Sequence, residues 1–388
     1  VATPFIMLRR FLQEMVGMAT RIEVSLFGAT IPVVPSLAGV VLLALLVIFR
    51  RRLTRLRILA LVIAFVMIAL TQRMADYYFN HTFYDIQQNW HYVAYGLFSY
   101  ILLRDLGPRG WPLGKIILTT FLVSLALSTF DEAFQLRVSR RIFDPGDIAK
   151  DCWGVLIGMG LLYNGENRFG AMLSRPLPLR HRTWRGYLDH PFTIWVLLVV
   201  FGLLFMTFGS LLSDSKYLGW VALFTLVSFG LFVFLFHVSQ YRWPGRLIGA
   251  AVILLAILVG ASCARHRGQG VTVTKSGMVM YEGVPIPFFD VMFHADGGFR
   301  LVDKKTSFNQ RDRIFFHSRR TDIVVIGTGH QGSGGHGFSL EAANQFNYNR
   351  YLERGSQIII LPNAQAAETW NRNRHEGRRA ILVLHQEV

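Results

Sequence analysis

The chain reads as a polytopic α-helical membrane protein of about eight spans, closed by a C-terminal soluble α/β domain. Three observations predict this. Of 388 residues, 52% are hydrophobic and only 16% are charged, whereas about a quarter of an average soluble domain is charged. Several windows reach the roughly 20 apolar residues that cross a bilayer. After residue 264 the apolar runs shorten, and Gly, Asn, Arg and His become frequent.

The opening VATPFIMLRRFLQEMVGMATRIEV carries its charges on an amphipathic pattern and has no small-residue cleavage site. Residues 1–25 therefore read as an interfacial helix rather than a signal peptide. Spans are expected near 26–49, 56–72, 90–104, 115–131, 149–164, 191–213, 217–237 and 245–263. The third and fifth are short or interrupted by polar residues. Residues 26–164 would form one bundle, 165–190 a basic cytoplasmic loop, and 191–263 three added spans.

A net charge of +16 could point to nucleic acid, but the basic residues sit in short loops between spans. RRRLTRLR at 50–57, RDLGPRG at 104–110 and RPLPLRHRTWR at 175–185 are the clearest cases. All three fall on one side when the spans alternate. This is the positive-inside pattern of a multi-pass protein of a bacterial cytoplasmic membrane, and it excludes nucleic acid as the partner. Lipids are the first partner it implies. Carried through span 8, the alternation puts the C-terminal domain on the extracytoplasmic side. Two cysteines, Cys152 and Cys263, lie far apart within or at the end of apolar runs and make no disulfide framework.

From 271 to 388 the pattern changes to short strands with turns, then to strands alternating with helices. DIVVIG, QIIILP and AILVLH are buried-strand runs. SLEAANQFNYNRYLERG and AAETWNRNRHEGRR are expected helices between them. An α/β domain of ordinary size follows.

The stretch DEAFQLRVSRRIFDPGD, residues 131–147, is charged although it lies between two apolar runs. Glu132 and Gln135 are three apart and share a helix face. Asp144 before Pro145 suits an N-cap with proline at the first helical position. Asp147 and Asp151 follow in the early turns of span 5, where the helix dipole favours negative charge. Gly154 and Gly158 continue the stripe as a small face for close helix packing. His91 and Tyr95 share a face of span 3 at the same depth. Ionisable groups placed there mark function or a paired network.

HYVAY, then EAFQ, then RIFDPGDIAKDCWGVLIG resemble the signature of the VanZ-like family. The likeness covers about residues 56–164. It implies that His91, Tyr95, Glu132, Gln135, Arg141, Asp144 and Asp147 occupy the family's positions, and Asp151 stands where the family usually has Asn. The family is linked to low-level resistance to the glycopeptide teicoplanin. Residues 271–388 resemble a small archaeal and bacterial α/β family whose mitochondrial relatives are assembly factors of respiratory complex I. The IGTG turn and the late WN…EGRRA segment carry that likeness, which implies a binding or assembly role.

Gly327, Gly329 and Gly332 spell a Gly-x-Gly-x-x-Gly after a strand, the first part of a dinucleotide fingerprint. The acid that such a site wants after the next strand is missing: Pro362 and Asn363 stand there. His330 and His336 lack a carboxylate partner for a metal. No cofactor and no metal are therefore expected. Three functional readings follow. The favoured one is a non-enzymatic accessory or assembly component of a membrane complex, with a polar outward-facing pocket and a protein-binding α/β domain. The second is an intramembrane enzyme on a lipid-linked or phosphorylated envelope substrate, with Arg140 and Arg141 gripping an anion. The third is a proton-coupled transporter.

Overall fold

Helix boundaries follow the prolines and glycines. The computed structural model describes residues 23–26, 29–75, 86–135, 137, 143, 145–165, 183–211, 218–286, 290–294, 299–302, 321–330, 348–349, 354–355 and 357–386. The chain divides into two units: residues 1–75, 81–209 and 213–237 form one, and the remainder, chiefly 238–388, the other.

In the first unit a hairpin, β1 (Glu23–Leu26) and β2 (Ala29–Pro32), leads into α1 (Val33–Ile48). Then come α2 (Arg55–Ala75), α3 (Ile86–Leu106), α4 (Leu113–Gln135) and α5 (Pro145–Gly165). Short α6 (Trp184–Asp189) precedes α7 (Pro191–Leu211) and α8 (Leu218–Val238). Gly107 and Pro108 close α3 in a single 3-10 turn, and Gly110 completes it with φ of 69°, a conformation only glycine takes without strain. Pro145 and Pro191 each open a helix, where a missing N–H costs nothing.

The interfacial helix expected over 1–25 gives way to strand at residues 23–25, and the first long helix starts at 33 rather than 26. Strand pairing claims this stretch, with Val24 opposite Ile31. A local helical pattern does not see such a cross-strand pair. Residues 1–22 lie outside the described residues.

α5 is the axis of the unit, and every residue from Asp151 to Gly160 is buried. It packs on α2, α3 and α4, and Trp195 of α7 donates its indole N–H to Leu156 O at 3.0 Å. Trp153 donates to Met67 O of α2 at 3.0 Å. Side-chain pairs set the directions. His91 meets Asp151 and Ser99 meets Gly158, so α3 runs parallel to α5. Ser128 meets Asp151 near the start of α5, whereas Gly114 at the start of α4 lies against Ile194 and Gly160 near the end of α5 against Trp195, so α4 runs antiparallel. Gly209 of α7 lies beside Pro145, so α7 is antiparallel too. The turn between α3 and α4 and the one before α7 therefore share one end, and the start of α5 lies at the other.

In the second unit α9 (Arg242–His266) runs into a three-stranded meander, β3 (Val271–Val273), β4 (Val279–Tyr281) and β5 (Val284–Ile286). Ser262 of α9 donates to Gly283 O at 2.7 Å, which ties the helix end to the β4–β5 turn. A five-stranded sheet follows: β6 (Asp290–Phe293), β7 (Phe299–Val302), β8 (Ile323–Gly327), β11 (Gln357–Leu361) and β12 (Ala380–Leu384), with a small pair β9 (Tyr348–Asn349) and β10 (Arg354–Gly355) apart from it. The sheet order is β11-β8-β12-β6-β7. β8 is parallel to both β11 and β12, whereas β6 is antiparallel to β12 and to β7. α10 (Asn363–His375) connects β11 to β12 and buries Trp370 against Phe293. The expected helix over 339–355 is corrected at 348–349 and 354–355, where Tyr348 pairs with Gly355 and Asn349 with Arg354. Asn-Tyr-Asn is a weak helix former, so a pairing partner decides.

A helix overlaps each of the eight expected spans, although the first expected span opens in strand. Four of these helices are long and apolar enough to cross a membrane: Leu113–Phe134, Pro191–Gly209, Leu218–Val238 and Arg242–His266. The α3–α5 seam generates the first prediction. A Cβ on Gly158 would stand 2.6 Å from Gly96 Cα, so Gly158→Ala should cost about 1–3 kcal/mol. Gly230 of α8 has nothing within 4 Å of its Cβ position, so Gly230→Ala should not lower stability. Thermal unfolding in detergent compares them, and equal midpoints would refute the tight seam.

Candidate functional site

Three helices of the first unit bring polar side chains to one place beside α5. Asp151 projects from its second turn with 6% side-chain exposure. Its Oδ1 lies 2.7 Å from Nδ1 of His91 on α3. Its Oδ2 accepts the Ser128 hydroxyl of α4 at 2.6 Å. A single carboxylate thus clasps three helices.

The seam explains why His91 can reach. Gly154, three residues after Asp151, has no side chain, and a Cβ there would sit 2.8 Å from His91 O and 2.9 Å from Tyr92 Cα. The two backbones touch at this level, so the imidazole falls within hydrogen-bond distance of the carboxylate. Burying an unpaired carboxylate costs several kcal/mol. Here an N–H and an O–H answer its two oxygens. Because both oxygens accept, we assign the proton of the histidine contact to Nδ1, which leaves Nε2 as the open nitrogen. The His91 side chain is 28% exposed.

Around this clasp the other residues gather in part. Tyr95, one turn after His91, faces Ser128 and Asp151. Asp147 and Lys150 lie within electrostatic range of His91, and Lys150 donates to Asp147 Oδ1 at 3.3 Å. Glu132 is 3% exposed and shares the α4 face of Ser128, four residues earlier. Gln135 is the last residue of α4, and its side chain lies outside the described residues, as do Arg140, Arg141 and Asp144. Pro145 opens α5 as its position predicted. Of the eight candidates, His91, Tyr95, Asp147 and Asp151 are brought together.

Sequence reasoning missed Ser128 and Lys150. Ser128 had a signal: it lies one helical turn before Glu132 and one after Ser124, on one polar stripe of the helix. Lys150 had a weaker one, since a lysine beside two aspartates reads as an ordinary loop charge until its burial, 6% exposed, is known.

In the α/β domain the Gly327–Gly329 turn is closed from within. Gly329 N–H donates to Asn363 Oδ1 at 3.1 Å, and Asn363 Nδ2 donates to His385 O at 2.7 Å. The turn's N–H is thus spent on this chain's own side chain rather than offered to a phosphate. Gly332 and His336 lie outside the described residues. Among the described residues no group of three or more His, Cys, Asp or Glu is placed to hold a metal ion. A second buried pair was also missed. His385 Nδ1 lies 2.9 Å from Asp290 Oδ2, and Gln386 N–H donates to Asp290 Oδ1 at 2.8 Å, fastening the residues after β12 to β6.

A helical membrane bundle with a buried His–Asp–Ser clasp is the class these features define. Residues 40–166 match the family model described as VanZ/LLP1, so the polar site lies within a VanZ-like domain, and the match reaches into α1. None of the curated proteins compared matches the chain. A solved structure named MT938 is 20% identical, covering 30% of this chain and 96% of that one with a TM-score of 0.22.

Two predictions follow from these contacts. Asp151→Ala leaves the partly exposed His91 imidazole and the buried Ser128 hydroxyl without their acceptor and should cost about 1–3 kcal/mol. Asp151→Asn can still accept the Ser128 hydroxyl and bond the imidazole, so it should retain at least half of that. Unfolding midpoints in detergent decide it, and an Asp151→Ala midpoint equal to that of the unchanged protein would refute the clasp. In the second unit Asn363→Ala exposes no new surface but strands Gly329 N–H and His385 O. A loss of about 1–3 kcal/mol should appear in chemical unfolding followed by hydrogen exchange of the β8 and β12 amides, and an unchanged midpoint would contradict the internal closure.

Proposed function

We propose that the chain is a non-enzymatic accessory or assembly component of a membrane complex serving the cell envelope. All eight long helices would cross a bacterial cytoplasmic membrane, and the VanZ-like domain would present its polar site on the outer side. One observation carries this reading: Ser128 gives its hydrogen bond to Asp151 and not to His91. The buried hydroxyl therefore serves as a donor to one oxygen of the carboxylate, with the imidazole held on the other oxygen. The site is satisfied from within and suits positioning a bound group better than transferring one. The α/β domain, with its closed glycine turn, supplies a protein-binding surface in keeping with its resemblance to assembly factors. Loop charges support an extracytoplasmic position for it.

A second reading draws on His91. Its Nδ1 is held by a carboxylate while its ring stays 28% exposed, the arrangement in which Nε2 serves as a general base. On this reading the bundle acts on a lipid-linked or phosphorylated envelope substrate.

Purification of the full-length protein in mild detergent separates the two. The accessory reading expects a stoichiometric protein partner whose yield falls at least severalfold with His91→Ala. Hydrolysis or transfer on a lipid-linked phosphate substrate, lost with His91→Ala and with no partner present, would overturn it. Sidedness has its own test in a Cys263→Ser background. Glu376→Cys should react with a membrane-impermeant maleimide in intact cells stripped of any outer membrane, and reaction only after lysis would reverse the placement.

A further inference from the structure

The two ends of the first unit differ in charge. The α3–α4 turn places Arg104, Arg109 and Lys115 at one end and α6 adds Arg185; the alternation of loop charge assigns the five arginines of residues 50–57 to the same end. Among the described residues the acids at that end are Asp105 and Asp189. Arg109 engages Asp105 at 2.6 Å, and Asp189 stands 3.9 Å from Arg185. Among the described residues the opposite end holds the acids Asp131, Glu132, Asp147 and Asp151 with the cations Arg137 and Lys150. The basic end therefore carries a large excess of positive charge on exposed side chains.

These cations are also placed at a particular depth. Lys115 Nζ lies 3.9 Å from the centre of the Trp111 ring, Arg104 Cζ 5.1 Å from Tyr100, and Arg52 Cζ 6.0 Å from Phe49. Each ring holds its cation where an apolar helix gives way to water. Beside them Trp184 and Leu188 of α6 are 52% and 58% exposed, at the same end and flanked by Arg185. Alternating exposed cations and exposed apolar rings match a lipid headgroup layer better than a nucleic acid or an acidic protein, which would leave the apolar groups unmatched.

We propose that this end of the bundle is a docking surface for the phosphate headgroups of anionic phospholipids, gripped chiefly by Arg104 and Lys115 with the five arginines of the α1–α2 turn. The inference stands apart from the accessory reading, because it uses no residue of the His91 site. Phosphate oxygens take the guanidinium and ammonium donors, and the rings lie along the glycerol and upper acyl region.

The test uses the full-length protein in uncharged detergent, titrated with phosphatidylglycerol or phosphatidylcholine while thermal unfolding is followed. Phosphatidylglycerol should raise the midpoint and phosphatidylcholine should not. The double variant Arg104→Gln/Lys115→Gln should weaken the apparent affinity about tenfold or more. Arg137→Gln, an exposed arginine at the opposite end, should leave it unchanged. Equal effects of the two lipids, or equal losses from Arg137→Gln and the double variant, would overturn the proposal. So would an equal midpoint rise with soluble glycerol phosphate or a short oligonucleotide. If the double variant does not fold, salt decides on the unchanged protein: ~0.5 M should erase the lipid difference, and its persistence would overturn the proposal.

Discussion

The close approach of α3 to α5 is the constraint on which the first unit depends. Gly154 and Gly158 let the α3 backbone reach a distance at which any Cβ would collide with His91 O or Gly96 Cα. Lipid tails are as apolar as leucine, so helices in a bilayer gain little from burying apolar surface against each other. They associate through close packing and hydrogen bonds instead. Both are present here at one level of α5, because the missing side chains bring His91 onto Asp151. The clasp to Ser128 then adds α4 to the same contact.

The clasp also gives the VanZ-like domain its polarity. Carboxylates gather at the start of α5 and the end of α4, beside Arg137 and Lys150, while the other end of the helices carries a larger excess of cations. Each end is matched to different chemistry. The acidic end pairs its charges internally, through His91, Ser128 and Lys150. The basic end leaves most of its cations open to solvent. In the α/β domain an equivalent internal economy holds, with Asn363 spanning Gly329 and His385 and with Asp290 spanning His385 and Gln386. The polar groups at the carboxyl ends of β8 and β12 are consumed in holding the strands together.

Much of this was legible in the residues. Apolar runs located all eight long helices, since hydropathy over a span is a local property. The Gly154–Gly158 stripe and the His91–Tyr95 face predicted the seam from helical spacing alone. Buried-strand runs located β8, β11 and β12 for the same reason. What could not be read depends on partners distant in sequence. Ser128 is one of several hydroxyl residues of α4, with Thr120, Ser124 and Thr129, until Asp151 is seen opposite. The β9–β10 pair looks helical until Tyr348 meets Gly355. Lys150 seems a loop charge until its burial is known. The position where the VanZ-like family usually carries Asn proved the most informative. Asp151 adds an acid that seemed to complicate the site, and in the structure it is the residue that organises it.

The central claim is that His91 and Asp151 act as one unit rather than as two polar residues that happen to lie near each other. A double-mutant cycle of His91→Ala and Asp151→Ala, read as unfolding free energy in detergent, measures this directly. Hydrogen bonds to charged groups contribute about 1.5–3 kcal/mol, so the account predicts a coupling in that range between the two substitutions. Effects that add to within about 0.5 kcal/mol would contradict it.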